Sequence, residues 1–214
     1  MGMVFFVAII RSCVVKLFKM GVLLGTNGEV AFMDGVLYMK LLKATKTAFT
    51  ELFKEHDEFY YYCTLVTTGD GNCPYISAWS WQALKKFLEQ EEIAKEEIID
   101  YKWSYADSPY CAYGKEYFKE VEEYVLANKP KNIDDEEDWH IWEDALIVTM
   151  ETVMSTLDEQ GIFGLGAKRK SMLVNAEIMP PDYSNTQRAL RLNNREDIRI
   201  WLKEAAQKVA GYIE

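Results

Sequence analysis

Residues 58–80 read EFYYYCTLVTTGDGNCPYISAWS, and this stretch decides the predicted fold. Its first part, residues 58–68, is dense in aromatic and β-branched residues that alternate between the two sides of an extended chain, which predicts a strand. Residues 69–72, Gly-Asp-Gly-Asn, have the composition of a turn, and residues 73–79 predict a second strand that begins near Pro74. We therefore expect an antiparallel β-hairpin here.

Helical periodicity surrounds this hairpin. Apolar residues recur at three- and four-residue steps over residues 41–56, and Ser80 is a candidate N-cap for a helix over residues 81–90. Further helices are predicted from Lys115 to Pro130, over residues 139–160 up to Gly161, and from an N-cap at Asn194 onward.

A third strand is predicted over residues 171–179. Helices and strands thus mix without a β-α-β repeat. The pattern predicts an α+β fold, in which an antiparallel sheet of a few strands packs against several helices in a single domain.

The composition is that of a folded, acidic protein. Of 214 residues, 49% are hydrophobic, which excludes disorder as the general state of the chain. The 24 Lys and Arg residues are outnumbered by 34 Asp and Glu residues, which gives a net charge of −10. Because such a field repels phosphate backbones, nucleic-acid binding is not expected.

The four cysteines lie at positions 13, 63, 73 and 111 and form no CxxC pair. A structural zinc site is therefore not expected. The cysteines are also too sparse for a disulfide-stapled secreted scaffold, so we expect free thiols in a reducing compartment and a cytoplasmic location.

The first 38 residues differ from the rest. Their apolar stretch is interrupted by Arg11, Lys16 and Lys19, so no membrane-spanning helix is expected. The charges follow the apolar stretch rather than precede it, which argues against a signal peptide. We interpret residues 1–38 as an extension, with a hairpin around residues 25–28, and residues 39–214 as the main domain. A segment that touches a membrane is the alternative.

Two histidines, His56 and His140, limit the available chemistry. Glu137 precedes His140 by three residues, the spacing with which di-iron bundles present ligands on one helix. The sequence contains no second motif of this kind, so we predict no metal site. No cofactor is predicted either.

Residues 161–168, GIFGLGAK, resemble a phosphate-binding loop. However, Ala167 separates the last glycine from Lys168, and a strand follows where the motif requires a helix. The basic residues 168–170 are a candidate anion site, and we favour the interpretation that they form a solvated turn.

Residues 101–114 form an irregular stretch rich in aromatic residues, in which we select Trp103, Tyr105, Asp107 and Tyr110 as candidate binding residues. The alternative is that Trp103 is a core residue and Asp107 caps a turn before Pro109.

A second candidate region is the run of five acidic residues at positions 134–138. We select Asp134, Asp135 and Glu136 as candidate docking residues for a basic protein partner. The alternative is a solvated loop whose charges favour a helix N-terminus.

Four segments carry a family resemblance: AFTELFKEHDEFYYYCTLVTTGDGNCPYISAWSWQAL (48–84), KWSYADSPY (102–110), ALIVTMETVMSTLDEQGIFG (145–164) and RLNNREDI (191–198). Together they resemble the bacterial domain-of-unknown-function family 4303 over about residues 39–205. The resemblance implies a Trp-Ser and Asp segment, a Gly-Phe-Gly turn and a Leu-Asn pair near the last helix. It implies no activity and no catalytic residues. In this sequence the family's positions are taken by Trp103, Ser104, Asp107, Gly161, Phe163, Gly164, Leu192 and Asn193.

Two classes of function follow. The first is a non-enzymatic acidic protein-binding module, for example an immunity protein against a basic toxin. The second is a small hydrolase or ligand-binding enzyme with a cleft around residues 101–114, in which Asp107 acts with His140 or Cys111. The second class requires those side chains to converge. Neither class of function predicts an oligomeric state.

Overall fold

The computed structural model describes residues 20–24, 30–131 and 136–207. A 3₁₀ turn, Lys115–Phe118, precedes the fourth helix. In chain order the elements are β1 (Met20–Leu24), β2 (Val30–Asp34), α1 (Gly35–Glu55), β3 (Tyr60–Thr68), β4 (Tyr75–Ser80), α2 (Trp81–Gln90), α3 (Ile98–Lys102), α4 (Lys119–Asn128), α5 (Glu136–Glu159), α6 (Ala167–Lys170), β5 (Leu173–Met179), α7 (Tyr183–Leu192) and α8 (Arg199–Glu204).

The predicted α+β class is confirmed, and so is the predicted hairpin of β3 and β4, in which Leu65 lies opposite Ile76. The prediction of a purely antiparallel sheet was wrong. β5 joins the other side of β3 and runs parallel to it, with Ala176 opposite Leu65, so the strand order is β4-β3-β5. Parallel pairing requires a long crossover, and residues 81–172, which include the 24-residue helix α5, supply it.

Two local signals act as the sequence predicts. The Ser80 hydroxyl accepts a hydrogen bond from the Ala83 amide at 2.9 Å and thereby caps α2. Gly161 ends α5 with a φ of 75°, a conformation that glycine adopts without steric cost. The Ile162 amide then donates to the Leu157 carbonyl at 3.0 Å, which completes a Schellman motif.

The end of the chain differs from the prediction. α3 and the ten-residue helix α7 were not predicted. Asn194 does not cap the last helix, which begins only at Arg199. Instead, the Asn194 side chain accepts from the Glu196 amide at 2.9 Å in the turn before that helix.

The predicted N-terminal hairpin is confirmed by the antiparallel pairing of β1 with β2, while residues 25–29 lie outside the described residues.

Asp34 ends β2 and caps α1, because its carboxylate accepts from the Val36 and Leu37 amides at 2.9 and 3.1 Å. The helix thus begins before Met39, where the composition changes. Tyr124 also donates to Asp34, at 2.7 Å. The interpretation of residues 1–38 as an extension and of residues 39–214 as the main domain stays a prediction.

The two faces of the sheet differ in chemistry. One face is apolar and carries Cys63, Leu65, Ile76, Ala78, Val174 and Ala176, all fully buried. Helices α1 and α5 pack against each other and against the outer strands and cover this face. The opposite face carries the buried polar side chains of Tyr62, Thr64, Ser77, Asn175 and Glu177. A polar face beneath a protein surface is the natural place to look for a site.

Side chains of α7 bind the outer edge of β5. Asn193 accepts from the Val174 amide at 3.0 Å and donates to the Val174 carbonyl at 2.7 Å. Asn185 does the same at Ile178, at 2.9 and 3.0 Å. Between them, Arg188 donates to the Ala176 carbonyl at 2.7 Å. The two asparagine amides therefore replace the peptide groups of a missing neighbour strand.

The segment after α3 binds the outer edge of β4. The Ser108 hydroxyl donates to the Ala78 carbonyl, and the Ala112 amide donates to the Ile76 carbonyl at 2.9 Å. Both edges of the three-stranded sheet are thus hydrogen-bonded to the rest of the chain.

Across the described residues, no helix combines the length and the apolar character that crossing a bilayer requires. Cys63, Cys73 and Cys111 are free thiols, and Cys13 lies outside the described residues. Burial raises the pKa of the Cys73 thiol to about 12.

Candidate functional site

A cleft of about 520 Å³ opens above the polar face of the sheet, next to the carboxyl end of β5. Residues 103–105 form one wall, α8 and the residues after it form another, and β5 with the following prolines forms the floor and rim. The lining residues are Trp103, Ser104, Tyr105, Glu177, Met179, Pro180, Pro181, Asn185, Trp201, Ala205 and Gln207.

The first wall is held by the polar face of β4. The Trp79 indole N–H donates to the Ser104 carbonyl at 2.6 Å, and the Ser77 hydroxyl donates to the Tyr105 carbonyl at 2.7 Å. These bonds fix the backbone of an otherwise irregular segment. Ser104 and Tyr105 both line the cleft.

Trp103 joins this wall to α8. Its indole N–H donates to Oε2 of Glu204 at 2.9 Å, and the Lys102 ammonium donates to the same oxygen at 2.8 Å. The Lys102 ammonium also lies 4.9 Å from the centre of the Trp103 ring. Glu204 therefore orients the indole at the entrance of the cleft.

Glu177 is the buried carboxyl group of the floor and is 4% exposed. The Tyr62 hydroxyl donates to its Oε2 at 2.6 Å, and the Asn175 amide donates to its Oε1 at 2.9 Å. Burial raises the pKa of the Glu177 carboxyl, while these two hydrogen bonds and the Arg188 charge act in the opposite direction. Burial thus favours the neutral form of Glu177, and its hydrogen bonds and Arg188 favour the charged form.

Gln207 closes the other wall. Its Nε2 donates to the Ala205 carbonyl at 3.3 Å, and its main-chain carbonyl accepts from the Thr186 hydroxyl at 2.8 Å. Its Oε1 is buried and has no hydrogen-bond partner among the described residues. A buried polar atom without a partner is uncommon in folded proteins.

The four residues selected in the aromatic segment separate into two pairs. Trp103 and Tyr105 line the cleft. Asp107 is exposed and accepts from the Ser104 hydroxyl at 2.5 Å. Tyr110 is 8% exposed and donates to Glu58 at 2.8 Å, with its ring 4.9 Å from the His56 ring. The prediction that all four act together is therefore not supported by the lining of the cleft.

Of the selected acidic residues, Asp134 and Asp135 lie outside the described residues. Glu136 is exposed and is the first residue of α5.

The side chains that the hydrolase interpretation requires, Asp107, Cys111 and His140, are not among the residues that line the cleft. Burial and the neighbouring Asp107 carboxylate raise the pKa of the Cys111 thiol. A raised pKa lowers the thiolate fraction, which makes Cys111 a poor nucleophile. Among the described residues there is no group of three or more His, Cys, Asp or Glu side chains placed to hold a metal ion.

The basic turn at residues 168–170 contains one structural residue. Arg169 donates to Asp158 at 2.6 Å, to the Met172 carbonyl at 2.8 Å, and to the Leu192 carbonyl and the Asn193 side chain at 3.0 Å each. The interpretation as a solvated turn was therefore wrong for Arg169, whose guanidinium joins Asp158, near the end of α5, to the Leu-Asn pair.

Glu177, Asn185, Trp201 and Gln207 line the cleft and were not predicted as site residues. One signal was available: in the strand LVNAEIM, the polar Asn175 and Glu177 stand two apart among apolar residues and so share a face.

The sequence model of the family described as "Domain of unknown function (DUF4303)" matches residues 41–194. No curated protein and no solved structure matches the chain. The matched segment includes the Trp-Ser pair at the cleft, the turn at residues 161–164 and the Leu-Asn pair bound by Arg169, and it makes up more than half of the 214 residues. The chain therefore belongs to the DUF4303 family.

Proposed function

We propose that this protein is a non-enzymatic binding protein and that its ligand enters the cleft above the polar face of the sheet. The observation that carries the proposal is the buried carboxyl group of Glu177 in the floor of a cleft with aromatic walls. Because burying an ionisable group is costly, such a group in a cleft marks a candidate functional site.

The dimensions support a small ligand. Ligand pockets in proteins typically enclose roughly 300–1,000 Å³, and this cleft has a volume of about 520 Å³. Trp103, Tyr105 and Trp201 supply flat apolar contact area, while Glu177 and Gln207 supply polar atoms that orient a ligand. The lining combines large contact surfaces with few polar groups, which is the usual composition of a recognition site.

The lining favours binding over catalysis. Nucleophilic catalysis requires a nucleophile beside a base, and the residues that line the cleft include neither histidine nor cysteine. The Ser104 hydroxyl donates to Asp107, which is exposed rather than part of the lining. Ligand binding therefore explains the lining residues without requiring a nucleophile beside a base.

Filling the cleft tests this proposal. We expect Ala205→Phe, which places a ring in the cleft, to abolish the hits that a set of small polar and aromatic fragments gives in saturation-transfer NMR. Ala127→Phe, on the exposed side of α4, is the matched control and should keep every hit. Fragment hits that survive in Ala205→Phe at wild-type strength would place binding elsewhere and contradict the proposal.

A second candidate function is docking of a basic protein, for example a toxin neutralised by an immunity protein. The net charge of −10 and the exposed acidic residues 136–138 at the start of α5 favour it. A negative surface steers a cationic partner and speeds association.

For this second function we expect the combined change Asp134→Asn, Asp135→Asn and Glu136→Gln to slow association with an independently identified basic partner about tenfold at low salt. The reduction should be much smaller at ~0.5 M salt, where the Debye length falls to a few Å. Surface plasmon resonance at several salt concentrations measures the association rate.

The matched control is the triple variant Glu91→Gln, Glu96→Gln and Asp100→Asn. It removes the same number of negative charges at three other exposed positions. An equal reduction in both triple variants would assign the effect to net charge and would remove any special role of residues 134–136.

A further inference from the structure

We infer that the cleft binds a planar, hydrogen-bond-donating organic cation, namely a guanidinium group, either on a small molecule or at the end of an arginine side chain. This inference rests on the proposed function and names the ligand class of the same site.

First, two side-chain amides at the cleft and beneath its floor present acceptor oxygens that have no partner among the described residues, while the hydroxyl of Thr64, which also has none there, can donate or accept. Nε2 of Gln207 is committed to the Ala205 carbonyl, which fixes the orientation of the amide and leaves its buried Oε1 without a partner among the described residues. A ligand that supplies an N–H would satisfy this oxygen, whereas a ligand that supplies only acceptors would not.

Asn175 is not a lining residue but contacts Glu177 of the floor. Its amide nitrogen donates to Glu177 at 2.9 Å and to the Asn185 carbonyl at 3.3 Å, so its buried Oδ1 is oriented as an acceptor and has no partner among the described residues. Each oxygen of Glu177 accepts one hydrogen bond, although a carboxylate group offers about four acceptor positions. The group that lines the floor thus retains acceptor capacity.

The second argument concerns charge. Among the described residues that line the cleft there is no lysine or arginine, and the one carboxylic acid is Glu177. The neighbouring cations are already bound: Lys102 pairs with Glu204 at 2.8 Å, and Arg188 binds the Ala176 carbonyl and the Asn185 side chain. An anionic ligand would therefore lie beside the carboxyl group of Glu177, and the neighbouring basic side chains would already be bound to other groups. A cationic ligand could instead pair with the Glu177 carboxylate.

The third argument concerns shape. Trp103, Tyr105 and Trp201 present aromatic rings to the cleft. A guanidinium is flat, stacks on such rings, carries five N–H donors and is more weakly hydrated than an ammonium. The Lys102 ammonium, at 4.9 Å from the centre of the Trp103 ring, shows that this ring already contacts one cation.

Binding of a cation to this site is expected to release a proton. Four groups face the Glu177 carboxyl: Tyr62 and Thr64 from β3, Asn175 from β5 and Arg188 from α7. Burial holds the pKa of Glu177 above its ordinary value, and a bound cation stabilises the charged form. Affinity should therefore rise with pH until Glu177 is ionised in the free protein, and stay level above that point.

The test compares three probes on the full chain by isothermal titration calorimetry: methylguanidinium, the uncharged isostere methylurea, and the peptide acetyl-Gly-Arg-Gly-amide. We expect methylguanidinium to bind at least tenfold more tightly than methylurea and Glu177→Gln to weaken it at least tenfold at pH 7.5. Glu196→Gln, an exposed carboxylate, is the charge-matched control and should leave the affinity unchanged.

Gln207→Met keeps the size of the side chain but removes the acceptor, and should weaken methylguanidinium about threefold to tenfold even if Glu177→Gln does not fold. Tighter binding of the peptide than of methylguanidinium assigns the guanidinium to a protein partner. Tighter binding of methylguanidinium assigns it to a small molecule.

Methylurea binding as tightly as methylguanidinium, or neither being bound, would overturn the inferred ligand class. In that case the proposed function would still hold if the fragment hits disappear in Ala205→Phe. If the hits remain, both the ligand class and the proposed function are contradicted.

Discussion

Replacing Asn193 with alanine is expected to lower the free energy of unfolding by about 3 kcal/mol, since each buried polar group left unpaired costs roughly 1–3 kcal/mol. The Asn193 side chain binds both backbone groups of Val174, at 3.0 and 2.7 Å, and accepts from Arg169 at 3.0 Å. Alanine leaves the amide and the carbonyl of Val174, which is fully buried, without these partners and removes one acceptor from Arg169. Urea denaturation followed by circular dichroism measures the loss.

The neighbouring Asn194→Ala is the matched control. Asn194 is exposed, and among the described residues its side chain bonds only to the Glu196 amide, at 2.9 Å. Its replacement should cost about 1 kcal/mol or less, as for a lost cap. Equal losses in the two variants would show that Asn193 does not hold the edge of β5.

Phe163→Ala is expected to cost about 4 kcal/mol, because truncation of a buried phenylalanine removes apolar contacts and leaves a cavity. The Phe163 ring is fully buried and meets the Phe49 ring edge to face at 5.1 Å. This contact fixes the turn after α5 to the middle of α1. The same urea experiment measures the effect.

Phe59→Ala serves as the comparison, because Phe59 is 77% exposed and should change the free energy of unfolding by no more than about 0.5 kcal/mol. If Phe163→Ala were as mild as Phe59→Ala, the turn at residues 161–164 would not be part of the core.

The positions that carry the family resemblance fall into two groups, one structural and one at the cleft. Phe163 and Asn193 act through packing and hydrogen bonds that hold the fold together, and Arg169 joins Asn193 to Asp158 of α5. Trp103 and Ser104 belong to the same resemblance but line the cleft. We therefore expect substitutions at the first group to change stability and substitutions at Trp103 to change binding.

Elements with local signals could be predicted from the sequence. The strands β3 and β4 follow from alternation and turn residues, and the start of α2 follows from Ser80, whose hydroxyl caps it at 2.9 Å. The place of β5 could not be predicted, because the choice between joining β4 or β3 depends on contacts between distant segments. Parallel pairing with β3 has no local signature in the strand itself.

The helix α7 was missed for a physical reason. Its buried residues are Asn185, Thr186, Arg188 and Ala189, so the side that faces the protein is mostly polar and has no apolar period. Asn185 and Arg188 bind the backbone of β5 instead of packing in a core, and Thr186 donates to the Gln207 carbonyl.

The candidate site was predicted in part. Trp103 and Tyr105 stood out as aromatic residues in an irregular segment, and both line the cleft. Glu177 and Gln207 did not stand out, because they reach the cleft through β5 and through the segment after α8, elements whose positions the sequence pattern did not fix.

The side chains that bind the outer edge of β5 have a consequence for self-association. A free strand edge is a template for β-augmentation by a peptide, for strand exchange and for fibril growth. At Val174 and Ile178 the amide and carbonyl groups that would recruit another strand are already occupied by Asn193 and Asn185. The sheet cannot be extended on this side unless α7 first detaches, so release of α7 is the step at which the folded protein would become prone to aggregation.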